Sequence, residues 1–130
     1  MLLFGHPYVP SQPFYHIDSI EALRRTPANS VVTLYFTPEN IDIVEYLRQN
    51  SVRFALHVET ATDAVIGENL AASYLIVLPK HAEEIQKVAE HYLFDAKVLG
   101  YIESVKNLDD LIEMRIDGAI FSDSIIKINS

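Results

Sequence analysis

A chain of 130 residues, 49% hydrophobic, is long enough to bury the core of one domain, and its net charge of −8 argues against binding a nucleic-acid backbone, which relies on clustered lysine and arginine. The absence of cysteine excludes disulfides and thiolate metal ligands. No apolar run approaches the ~20 residues of a membrane span, and Met1 to Pro7 lacks the basic start and apolar length of a signal peptide, so a cytoplasmic protein with no membrane partner is the expectation.

Residues 1–13 read as an N-terminal arm ahead of a single α/β domain, 14–130. Leu2-Leu3-Phe4 fits a short strand. Pro7, Pro10 and Pro13 then recur at three-residue intervals, which favours an extended or polyproline-like path. Phe4, Tyr8, Val9 and Phe14 give this arm apolar surface that must be covered by its own domain or by a partner.

Phe14 to Ile17 reads as a strand. Asp18 or Ser19 can cap a short helix from Ser19 to Arg25 with Ile20 and Leu23 inward, and Arg24-Arg25 reads as its solvated end. Pro27-Ala28-Asn29 is a turn. Val31 to Phe36 is rich in β-branched and aromatic residues, as strands are. Thr37-Pro38-Glu39 starts a helix that runs to about Gln49 and buries Ile41, Val44, Leu47 and Ile43. Val52 to Val58 is the next strand. Thr60 to Asp63 fits a capping box, and its helix, to about Ala71, carries Ala64, Val65 and Leu70 inward. Gly67 inside that helix costs about 1 kcal/mol against alanine.

Tyr74 to Ile102 is the most legible stretch. Tyr74 to Leu78 is an unbroken apolar run, as in a strand buried on both faces. After Pro79, Ile85, Val88, Ala89, Tyr92 and Leu93 recur at helical spacing, with Glu83, Glu84, Gln86, Lys87 and Glu90 opposite. Ala96 to Ile102 extends again. Asn107 caps a helix with Leu108, Leu111 and Ile112 inward. Gly118 to Phe121 is a strand, and Ile125 to Ile128 fits a further short strand or a packed tail. At an offset of 85 residues, Ile17, Ser19, Leu23 and Phe36 are repeated as Ile102, Ser104, Leu108 and Phe121, an echo that two strand–helix–strand units share by architecture.

The predicted fold class is therefore α/β: five to six mostly parallel strands alternating with helices. Leu108 to Ile112 leading to Ile116 through Ser122 resembles a late βα unit of a TIM barrel, and Asn69 to Val77 has a similar cadence. A full barrel takes roughly 200 residues or more, so the resemblance implies either an open twisted sheet or a partial, barrel-like arc, and it implies no catalytic residue. With strands in sequential order, all helices lie on one face. The arm, the C-terminal tail or a second subunit must then cover the other.

Ligands of open parallel sheets bind beyond the C-terminal strand ends. That edge includes Asp18, Thr37, Glu39, His57, Glu59, Lys80, His81, Glu103, Ser122 and Asp123. His57 and Glu59 sit at i, i+2 on an alternating strand, and with Glu103 they are the catalytic candidates, as base and orienter. The same alternation also describes an edge strand with one wet face. His57, His81 and Glu84 are the candidate metal ligands, since His81 and Glu84 share a helix face; a solvated helix end explains the latter pair equally. His6 and His16 lie in or beside the arm, where packing is the simplest role. No cofactor is indicated. The four glycines, at 5, 67, 100 and 118, spell neither a dinucleotide fingerprint nor a P-loop. There is no nucleophile elbow.

Two functions fit these residues. One is a non-catalytic module that binds itself, as a homodimer, or another protein, through the arm and an exposed sheet face. The other is a small-ligand or metal-dependent enzyme working at the strand ends around His57, Glu59, His81 and Glu103.

Overall fold

A computed structural model describes residues 1–128. Its strands are β1 (Leu2–Phe4), β2 (Phe14–His16), β3 (Val32–Tyr35), β4 (Phe54–His57), β5 (Tyr74–Val77), β6 (Lys97–Ile102), β7 (Gly118–Phe121) and β8 (Ile125–Lys127). Its helices are α1 (Ile20–Leu23), α2 (Ile41–Gln49), α3 (Ala61–Asn69), α4 (Pro79–His91) and α5 (Leu108–Glu113). All pairings are parallel, in one eight-stranded sheet of order β1-β7-β6-β5-β4-β3-β2-β8. The α/β class is as expected. The count of strands is eight rather than five to six, because the short apolar runs at both ends join the sheet as its two edges. Among the described residues no helix is long and apolar enough to cross a membrane.

The connection from β7 to β8 dictates the shape. In a flat sheet these strands, second and eighth in order, would lie about 29 Å apart at the usual strand spacing. Only residues 122–124 join them, which span at most about 14 Å. The sheet must therefore curl, and it does so into a half-barrel, the second of the two shapes the barrel resemblance left open.

Curling gives the sheet two unlike faces. The outer face carries Ile17, Val32, Leu34, Phe54, Leu56, Leu75, Val77, Val98 and Ile102, all buried against the helices. The inner face carries Phe14, Val31, Ala55, Ile76, Leu99 and Ile120, packed with Phe4, Tyr74, Tyr101 and Ile125. The base of the curl is plugged by three rings: Phe4 lies 5.0 Å from Phe14 and 5.6 Å from Tyr74, and Phe14 lies 5.2 Å from Tyr74, centroid to centroid. The molecule thus covers its own second face with β1 and β8. Gly118 permits this, since a Cβ there would stand 2.8 Å from the carbonyl oxygen of Leu2 in the pairing strand. Of the arm's other apolar residues, Tyr8 is 90% exposed and Val9 39%.

Helix starts follow the sequence only in part. Ser19 and Thr60 accept hydrogen bonds from the backbone of Ala22 and Asp63, as N-caps do. Thr37 makes no such bond, and Pro38 to Asn40 forms a 3₁₀ turn ahead of α2. Four helices end alike, with a non-glycine residue in the left-handed region: Ser51, Ala71, Leu93 and Arg115, at φ 54, 67, 53 and 58°. The residue after each (Val52, Ala72, Phe94 and Ile116) turns inward, and its N–H donates to the carbonyl five residues back. This is the Schellman ending, which usually recruits glycine.

These endings explain several departures from the predicted inward faces. Tyr92 and Leu93 are exposed because α4 stops at His91 and the turn carries Phe94 inside instead. Ile41, Val65 and Ile112 are also exposed, while Ala22 and Gly67 take buried positions and Ile43 is buried as expected. Gly67 lets α3 lie close to the sheet, since a Cβ would stand 2.9 Å from Leu75 Cδ2. Gln86, expected on the outer face of α4, is 2% exposed. Its side chain donates to Asp117 Oδ1 at 3.1 Å and accepts from the Asp117 N–H at 2.8 Å. Asp117 Oδ2 in turn accepts from the Val98 N–H at 2.9 Å, so two polar side chains tie α4 to β6 and β7.

Candidate functional site

The inner face is apolar at its base and polar at its mouth. Registered parallel partners point the same way, so Thr33 pairs beside His16, and Tyr35 beside His57, all facing inward at the C-terminal strand ends. Three rings meet there. His57 lies 4.9 Å from Tyr35 and 5.6 Å from His16, and His16 lies 5.0 Å from Tyr35. Tyr101, two strands beyond β4, completes the arc at 6.5 Å from His57. They border a cavity of about 380 Å³ whose walls also include Ile76, Leu78 and Ile125, with Glu59 and Lys127 as its charged groups. That volume is in the range of small-molecule sites.

His16 Nδ1 and Thr33 Oγ1 share a hydrogen bond of 2.9 Å, and Thr33 is fully buried. This fixes the His16 ring. His57 has the opposite problem: its Nε2 is buried with no partner. An unsatisfied buried nitrogen of this kind costs roughly 1–3 kcal/mol. Burial, and then the neighbouring His16, push the His57 pKa down from 6.5 to about 4. Burial and Lys127 also lower that of His16, with Asp18 opposing. Both imidazoles are therefore neutral near pH 7, and each then has one ring nitrogen that donates and one that accepts. Tyr101 titrates above its ordinary range, through burial and then the charge of Glu103, while a hydrogen bond with Ser122 works the other way.

Of the sequence candidates, His57 and Glu59 line this cavity together. The alternating strand that carries them is no edge: β4 is flanked by β3 and β5, and the alternation separates the helix-facing side from the mouth of the curl. His81 and Glu84, on the first turns of α4, are not part of the cavity wall, nor is the exposed Glu103. Among the described residues no three His, Cys, Asp or Glu side chains form a group able to hold a metal ion.

The residues that sequence reasoning missed are His16, Tyr35, Tyr101 and Lys127. One signal links them. Each occupies an inward position near the C-terminal end of its strand, in step with His57. Beside the arm, His16 reads as a packing residue, because nothing local shows that β2 sits two strands from β4. Comparison with known proteins leaves the site to speak for itself: no protein-family model matches the chain, and no curated protein is similar to it in sequence.

Proposed function

We propose that this domain binds a small organic molecule in the cavity at the C-terminal strand ends. The observation that carries the reading is a cavity of about 380 Å³ lined by His57, whose Nε2 is buried without a partner, and by three further rings. An apolar wall with a few convergent polar groups is what small-molecule sites are made of. The site works by hydrogen bonding and packing. A histidine titrating near 4 is a weak base at neutral pH, so His57 serves better to orient or polarise a ligand than to abstract a proton from it. The rival reading, self-association through the arm, loses support because Phe4 and Phe14 belong to the molecule's own interior, leaving Met1, Leu2, Tyr8 and Val9 as the arm's exposed large hydrophobics.

Tyr35 makes the test practical, because at 58% exposure it can be truncated without opening the core. A thermal-shift screen of a small-molecule library should find compounds that raise the Tm of the wild type and lose that effect on Tyr35→Ala. Hits that stabilise both proteins equally, or no hits at all, would overturn the reading.

A further inference from the structure

The mouth of the cavity has a charge preference, and resting on the small-ligand reading above, we propose that the site takes a small organic cation: an amine or quaternary ammonium group on an apolar body. Four observations converge on this. Glu59 lines the cavity and, among the described residues, takes part in no ion pair or hydrogen bond, the ion pairs being Arg24–Glu21, Arg48–Glu45 and Lys87–Glu83. Tyr35 and Tyr101 offer two phenol rings at the opening, and ring faces attract cations. His16 and His57, held neutral, add no competing positive charge. Around them stand Asp18, Glu103 and Asp123, close enough for their charges to act on the His16 and Tyr101 rings. A cleft whose surrounding charges are mostly of one sign, with low-dielectric walls, concentrates the opposite sign. The apolar body would lie along Ile76, Leu78 and Ile125.

Lys127 opposes this preference. It is exposed on the edge strand β8, beside His16, and is the one basic side chain among the described residues that line the cavity. It therefore supplies a test of sign. Removing Glu59 should weaken a cation, and removing Lys127 should tighten it, whereas an anionic ligand would respond in reverse.

The experiment titrates three matched probes, benzylamine, benzyl alcohol and benzoate, into the whole protein at pH 7. The side-chain NMR signals of His16 and His57 report binding. The wild type is compared with Glu59→Gln and Lys127→Gln. Benzylamine should move both rings and bind about fivefold tighter than benzyl alcohol, with benzoate weakest. E59Q should cost benzylamine about fivefold, and K127Q should improve it. Equal binding of the three probes, tighter binding of benzoate, or no effect of E59Q on benzylamine would overturn the cation preference while leaving a ligand site in place. If none of the probes moves either ring, the cation preference and the site reading fall together.

Discussion

His57 is neutral by position, and the consequence is a pH dependence with a definite sign. Its folded pKa is about 4 against 6.5 for the free side chain. Between those values the unfolded chain binds a proton that the folded protein refuses, so stability falls as pH drops through that window and levels off below it. The full effect is ~3 kcal/mol. Other groups titrate in the same range, but they are shared with a His57→Phe variant. Urea unfolding at pH 7 and pH 4.5 should show the wild type losing about 2 kcal/mol more than His57→Phe. Parallel losses would show that His57 is not shielded. At this scale the sequence was half legible. The i, i+2 pair of His57 and Glu59 was visible as alternation on one strand. The partners His16 and Tyr101 were not, because their side chains meet His57 only through the order of strands in the sheet.

The elements share one strained device, the left-handed residue after α2, α3, α4 and α5. A non-glycine residue in that region costs ~1 kcal/mol, of which part returns as lower entropy of the unfolded chain. Ala71, at φ 67° and exposed, has no side chain that packs. Ala71→Gly should therefore raise stability by roughly 0.5–1 kcal/mol, read from the urea midpoint at unchanged slope. A loss of stability would mean that the helix ending is less constrained than its geometry implies. These endings also account for where element boundaries were hard to read. Glycine after a helix is a strong stop signal, and Ser51, Ala71, Leu93 and Arg115 replace it. The helix cores themselves were evident from the spacing of Val44 with Leu47 and of Ile85 with Ala89. Gln86 was misplaced for a different reason. Polar residues are read as outward, and its burial depends on Asp117, thirty-one residues away.

At the scale of the whole molecule, the parallel order of strands was legible because strand and helix periods alternate along the chain. Its curl was one of two shapes left open, because the choice follows from a link of residues 122–124 between the second and eighth strands of the sheet order. That curl does two things. It buries Phe4, Phe14 and Tyr74 together at the base, so the sheet needs no outside cover there. It also draws Tyr101, two strands from β4, to within 6.5 Å of His57, closing the mouth that His16, Tyr35 and His57 form on neighbouring strands. An aromatic NOE spectrum of the protein in solution tests this most directly. Contacts should link Phe4, Phe14 and Tyr74 in one set and His16, Tyr35 and His57 in a second. A spectrum with no contact between Phe4 and the rings of Phe14 and Tyr74 would contradict the curl, and with it the enclosed site.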